Sequence, residues 1–217
     1  LTGDVADLAM TFILMAPRRI GESERFLRSG KWMQGRMGLG TTVRGMRLGI
    51  LGLGRIGRAV ARRAEVFGLN IGYFDILPLG DLQYRSYPTL HDLAEASDIL
   101  LVTCQGGETT RNLVDGPVLD ALGPDGFLIN TARGSIVDQP ALVTALQENR
   151  IAGAALDVFH AEPEVPAELL AMENVILTPH IASSTHETRR AMADLVKDNL
   201  KAHFDGKAVL TAVPPLL

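Results

Sequence analysis

From Thr2 to about Leu27, apolar residues return every three or four positions, at Val5, Leu8, Ala9, Phe12, Ile13 and Ala16, which predicts a helix that Pro17 disturbs. A glycine-rich loop follows from Gly35 to Gly45. Beyond it the period changes. Short apolar runs, Arg47 to Leu51, Asn70 to Asp75, Asp98 to Cys104, Gly126 to Thr131, Gly153 to Phe159 and Asn174 to Thr178, read as buried parallel strands. Amphipathic stretches separate them near Arg55 to Phe67, Leu90 to Ala96, Pro117 to Leu122 and Gln139 to Asn149. This alternation predicts an α/β chain with a doubly wound parallel sheet. Ser184 to Glu187 has the form of a capping box, and Met192, Leu195, Val196, Leu200 and Phe204 keep helical spacing behind it.

Composition narrows the class. The 217 residues suffice for one full domain and part of a second. Apolar residues make up 47% and charged residues 21%, which is ordinary for a folded protein. The net charge of −4 and scattered Arg pairs supply no basic face for a nucleic acid. Cys104 stands alone, so no disulfide framework or zinc ribbon can form, and a reducing, cytoplasmic setting is expected. The apolar stretch Leu8 to Ala16 is about half of the ~20 residues that a bilayer crossing needs, so a soluble protein is expected. The chain opens at Leu1 inside a helical pattern, so an N-terminal piece is expected to precede it.

The strongest local motif is Gly52-Leu53-Gly54-Arg55-Ile56-Gly57, a G-x-G-x-x-G between an apolar strand and an amphipathic helix. There Gly52 permits the tight turn, Gly54 the approach of a pyrophosphate and Gly57 close packing of helix on sheet, while free amides at the helix start face the anion. A Rossmann-type dinucleotide-binding domain is expected. Asp75 ends the second strand, 18 residues past Gly57, where a carboxylate accepts hydrogen bonds from ribose hydroxyls. With no cation in Ile76-Leu77-Pro78 to pair a 2′-phosphate, Asp75 favours NAD over NADP.

Ligands of such sheets bind outside the carboxyl ends of the strands. Three polar groups fall there: Arg133 in Asn130-Thr131-Ala132-Arg133-Gly134, Glu162 in the segment after Asp157-Val158-Phe159, and His180 in Thr178-Pro179-His180. Singly they read as a surface charge, a loop carboxylate and a turn residue. Jointly they supply what hydride exchange with an alcohol needs: a cation for the substrate, a proton carrier near neutral pH and a group that tunes it. His91, His186 and His203 lie in helical stretches and read as surface residues. His160-Ala161-Glu162 lacks a third ligand, so no metal site is expected. Cys104 reads as a small buried residue or a wall of the adenosine pocket. Ser135 lacks the strand-turn-helix elbow of a nucleophile.

With these residues in place, the chain resembles the D-isomer-specific 2-hydroxyacid dehydrogenases over nearly its whole length, in particular the glyoxylate and hydroxypyruvate reductase-like members. The resemblance rests on Leu51 to Gly57, on Glu108-Thr-Thr-Arg-Asn-Leu-Val114, on Asn130-Thr-Ala-Arg-Gly-Ser135, on Ala155-Leu-Asp-Val-Phe159 with Glu162-Pro163, and on Thr178-Pro-His-Ile-Ala182. It implies that Arg133 binds the carboxylate and carbonyl of a 2-oxo acid. It implies further that His180 delivers the proton, and that Glu162 favours the protonated imidazole and orients it. Asp157 resembles the partner of the nicotinamide carboxamide. Gly52, Gly54, Arg55, Ile56, Gly57, Asp75, Thr103, Cys104, Thr109, Thr131, Ala132, Arg133, His180 and Ala182 match positions along the cofactor.

Two departures stand out. Many relatives read Leu-Pro-Leu-Thr where this chain has Cys104-Gln105-Gly106-Gly107, so its loop over the adenosine side is expected to differ. Some reductases carry Arg where this chain has Asp75, which again favours NAD. The resemblance implies a dinucleotide-binding domain over 1–182, with 1–40 as a helical arm and loop through which relatives form homodimers. It implies a C-terminal helix over 183–217 that returns to a substrate domain whose N-terminal half precedes Leu1. The first and last helices are therefore expected to expose apolar faces. The expected activity is NAD-dependent reduction of a small 2-oxo acid such as glyoxylate or hydroxypyruvate. The alternative is an NAD-sensing corepressor-like scaffold of the same fold, and a third option is a formate dehydrogenase or another branch of the same superfamily.

Overall fold

The computed structural model describes residues 1–76 and 83–212. Its strands are β1 (Arg47–Leu51), β2 (Asn70–Phe74), β3 (Arg85–Ser86), β4 (Ile99–Val102), β5 (Phe127–Asn130), β6 (Gly153–Leu156) and β7 (Val175–Leu177). They form one sheet in the order β3-β2-β1-β4-β5-β6-β7, and every pairing is parallel. Six of the seven fall on the runs read from the sequence. The two-residue β3 gave no such run, because a strand that short has no period to read.

The helices of this unit are α1 (Thr2–Met15), α2 (Ile20–Arg28), α3 (Arg55–Val66), α4 (Leu90–Glu95), α5 (Gly116–Leu122), α6 (Gln139–Gln147) and α7 (Ala167–Ala171). Pro17 does more than disturb the first helix. It ends α1, and Arg19 turns the chain through a left-handed backbone, φ 54°, into α2. The strands alternate which face they fill, as a period of two requires. Leu48, Ile50, Leu101 and Ile129 pack with α1 and α3, whereas Leu100, Val102, Leu128 and Ala154 pack with α4, α5 and α6. This arrangement corrects the expectation for the first helix. Val5, Ala6, Ala9, Met10, Phe12 and Ile13 are all buried, because α1 lies on α3 and touches β5.

The register decides where the chemistry sits. Leu51 pairs with Val102, Val102 with Asn130, Asn130 with Leu156 and Leu156 with Leu177, so the strands end in a row. The next residue of each, Gly52, Thr103, Thr131, Asp157 and Thr178, therefore emerges on the same edge of the sheet.

Contacts divide the chain into a unit of Thr2–Ala182 and a second that holds Leu1 and the residues from Ser183 onward. The second contains α8 (His186–Phe204). Its N-cap is Thr185, whose side chain accepts from the Thr188 amide at 3.2 Å, and this corrects the capping box drawn on Ser184. Ser184 instead accepts from the Arg189 guanidinium at 2.9 Å. After the helix, Asn199 holds Thr211 through two hydrogen bonds. Met192, Leu195, Val196, Leu200 and Phe204 are exposed, as expected of this helix. No helix among the described residues is long and apolar enough to cross a membrane.

Candidate active site

The loop after β1 is built for a backbone-held anion. Gly52 has φ +91°, a conformation side chains rarely adopt, and a Cβ there would lie 2.7 Å from the Cys104 backbone. A Cβ on Gly57 would strike the Gly52 carbonyl. Gly54 differs from both. It has ordinary φ, and nothing lies within 4 Å of where its Cβ would stand. The protein itself thus makes no demand for glycine at 54, whereas an approaching pyrophosphate does. Gly54 is the N-cap of α3 with no side-chain cap, which leaves the first amides of the helix, those of Arg55, Ile56 and Gly57, for such a group.

Neighbouring strand ends brace this loop. Asp75 Oδ2 accepts from the Leu53 amide at 2.8 Å, which fixes the carboxylate at the edge of the loop. Leu77 and Pro78, read as supplying no cation, lie outside the described residues. Thr103 Oγ1 donates to the Gly52 carbonyl at 2.7 Å. Burial pushes the Cys104 thiol up to about 11, so it is an inert wall rather than a reactive group. Thr131 Oγ1 is buried without a hydrogen-bond partner among the described residues, on the same edge. A buried hydroxyl left unmatched is costly, and a polar cofactor along the strand ends is a fitting partner for it. Thr109 is exposed in a short 3₁₀ turn, while its neighbour Thr110 is buried and holds the carbonyls of Gln105 and Gly107.

On the far side of the same edge, His180 and Glu162 meet. His180 Nδ1 lies 2.6 Å from Glu162 Oε2, and Glu162 Oε1 accepts from the Phe159 amide at 3.0 Å. Burial pushes Glu162 up, but the His180 hydrogen bond, the Phe159 amide and the charges of His180 and Arg133 outweigh it and hold the carboxyl below its ordinary range. Nδ1 being taken, Nε2 is the ring nitrogen left to exchange a proton. The pair borders a hollow of about 270 Å³ walled largely by apolar groups, including Phe159, Val165, Leu170 and Leu177. A larger cavity of about 410 Å³ lies at the opposite ends of the strands, beside Phe127, Ala152 and Asn174, away from these groups.

A folded carboxyl held below its unfolded value stabilises the protein fully above the unfolded value, about 4.3 for Glu, and loses that contribution as pH falls through the lower folded one. Glu162→Gln is therefore expected to flatten the loss of stability with acid in that window, measured as the thermal midpoint across pH 3 to 6, on the order of the Glu range. An unchanged acid profile would break the link.

Asp157 has more partners than the sequence suggested. It is fully buried, and its carboxylate accepts from Thr178 Oγ1 at 2.5 Å, the Ile181 amide at 2.8 Å and the Ala182 amide at 2.9 Å. Its backbone carbonyl takes the His180 amide at 2.9 Å. These bonds fix a turn in which His180 adopts φ 53°. Asn130 plays the same part for Arg133. Its amide group bonds the Ala132 N–H at 3.0 Å and the Arg133 carbonyl at 2.9 Å. The Arg133 guanidinium is exposed and donates Nη1 to the Ala132 carbonyl at 2.6 Å. Asn130 and Thr178 lay inside the quoted motifs without a role. A buried Asn at a strand end before a turn was the available signal.

A family model described as D-isomer specific 2-hydroxyacid dehydrogenase, NAD binding domain, matches residues 10–182. The chain belongs to the D-isomer-specific 2-hydroxyacid dehydrogenases. Among relatives in this family, a glyoxylate/hydroxypyruvate reductase A of Arabidopsis thaliana is 55% identical over 98% of this chain and 68% of its own length. A hydroxyphenylpyruvate reductase of Plectranthus scutellarioides is 52% identical over the same shares. An NADPH-dependent glyoxylate/hydroxypyruvate reductase of Sinorhizobium meliloti, solved with NADP and malonate, superposes with a TM-score of 0.93 at 49% identity, covering 99% of this chain and 68% of that one. The chain thus spans about two thirds of the length of these dehydrogenases.

Proposed function

We infer that this chain is the cofactor-binding part of an oxidoreductase that reduces a small 2-oxo acid to the D-2-hydroxy acid. The observation that carries the reading is the 2.6 Å Glu162–His180 contact, set on the same strand-end edge as the dinucleotide loop. When bound, a nicotinamide cofactor would supply the hydride for the carbonyl carbon. His180, held and oriented through Nδ1 by Glu162, gives a proton from Nε2 to the carbonyl oxygen. Arg133 holds the substrate carboxylate through its paired N–H groups. Glyoxylate and hydroxypyruvate are the substrates favoured by the named activities of the Arabidopsis and Sinorhizobium relatives.

NAD is the preferred cofactor in this reading, although the Sinorhizobium relative is NADPH-dependent. Asp75, tied to the Leu53 amide beside the loop, would repel a 2′-phosphate and accept from a 2′-hydroxyl. Asp75→Arg is expected to shift the ratio of kcat/KM for NADH over NADPH toward NADPH, and an unchanged ratio would overturn this role. The dinucleotide-binding domain runs over 1–182, and the C-terminal segment from Ser183, whose helix is α8 (His186–Phe204), returns to the substrate domain; 213–217, read as part of that helix, lie outside the described residues. The arm over 1–40 joins two copies into a homodimer, a reading supported by exposed Leu27, Trp32, Met33 and Leu39. A cytoplasmic setting rests on the lone thiol, Cys104.

The test is NADH oxidation by the full-length protein with glyoxylate, hydroxypyruvate and a bulkier 2-oxo acid. Turnover of the small acids is expected. NADH binding without turnover of any of them would favour a cofactor-sensing scaffold.

A further inference from the structure

The segment that carries Glu162 docks on the segment that carries Arg133. A Cβ on Gly134 would strike the Phe159 carbonyl group and stand 2.6 Å from the His160 nitrogen. The Phe159–His160 peptide therefore lies against the backbone of the residue that follows Arg133, with no side chain between them. Phe159 is buried, but His160, Ala161, Glu162, Pro163 and Glu164 are all exposed. Past Phe159 the place of the segment thus depends on the bonds it makes more than on packing.

One of those bonds comes from outside the site as drawn so far. The His160 amide donates to Gln139 Oε1 at 3.1 Å, next to the Phe159 amide that donates to Glu162 Oε1 at 3.0 Å. Gln139 is well placed to hold it. It is the first residue of α6, whose N-cap Asp138 accepts from the Ala141 amide at 3.1 Å, while the Asp138 amide donates to the Val114 carbonyl at 2.9 Å. The cap already serves the helix start, so α6 itself makes no demand for a glutamine there.

We propose that Gln139 is a positioning residue for the reduction: by holding the His160 amide, it keeps the exposed segment docked beside Arg133 and so sets Glu162 where it orients His180. This rests on the reading that Glu162 orients His180. In the full-length enzyme, Gln139→Leu removes the acceptor, and water takes over the exposed amide without fixing its place. The single-turnover rate of NADH oxidation at saturating glyoxylate is expected to fall about tenfold, since a misplacement of about 1 Å can cost up to about 100-fold. KM for NADH and the thermal midpoint stay unchanged. Gln139→Glu keeps an acceptor of the same reach, and its charge suits the first turn of a helix, so it restores the rate to within about twofold. On a Glu162→Ala background, Gln139→Leu adds no further loss, because the group it positions is gone. An unchanged rate in Gln139→Leu, a rate in Gln139→Glu as low as in Gln139→Leu, or a loss that adds in full to that of Glu162→Ala overturns the proposal. If Glu162→Ala alone leaves the single-turnover rate intact, the role of Glu162 fails first and takes the proposal with it.

Discussion

Full-length enzyme carrying His180→Gln is expected to bind NADH as before while kcat falls by about 10²- to 10⁴-fold, the ordinary worth of a positioned proton donor. Glutamine can still donate a hydrogen bond to Glu162, whose Oε2 lies 2.6 Å from His180 Nδ1, but it cannot release a proton near neutral pH. Because the interaction lost is one made in the transition state, kcat and kcat/KM should fall together. NADH affinity is insulated by distance along the sheet: the phosphate loop follows β1, whereas His180 follows β7, four strands away. One complication comes from the backbone. At φ 53°, glutamine costs about 1 to 2 kcal/mol against a residue that tolerates the left-handed region. His180→Asn, which tolerates it, separates the two effects, and both variants should lose turnover alike. Equal loss of turnover and of NADH binding, read by fluorescence titration, would make His180 a structural residue instead.

Much of this site was legible because strand ends are marked by chemistry. Gly52, Asp75, Arg133 and His180 each follow an apolar run, and a doubly wound sheet has one edge where such residues can gather. Their contacts were not legible. Nothing in the spacing of Glu162 and His180 gives a distance. The losses elsewhere have local causes. The five residues of α7 make barely more than one turn, too little for a helical period. Ser184 and Thr185 are both good caps, and only the extended backbone at Thr185, φ −102° and ψ 154°, chooses between them. The buried face of α1 was misread because burial depends on α3, more than forty residues away along the chain.

Asp157→Ala is expected to lower stability by about 2 to 4 kcal/mol and to remove most turnover. Three donors converge on this buried carboxylate, the Thr178 hydroxyl and the Ile181 and Ala182 amides. A buried donor stripped of its acceptor costs about 1 to 3 kcal/mol, more where the acceptor was charged. Water can reach the exposed Ile181, so its amide is partly rescued, whereas Ala182 is buried and its amide is not. The turn also carries His180 in a left-handed backbone, a conformation that persists only where its surroundings over-determine it. Without Asp157 that constraint weakens, and the ring leaves Glu162. The result therefore separates two roles for one residue. A carboxylate offers about four acceptor sites and the turn uses three, so room for one further donor remains beside them. If Asp157 mainly holds the cofactor carboxamide, the variant keeps its thermal midpoint and loses NADH affinity. If it mainly organises the turn, the midpoint drops and turnover falls as in His180→Gln, with NADH still bound through the Gly52 to Gly57 loop.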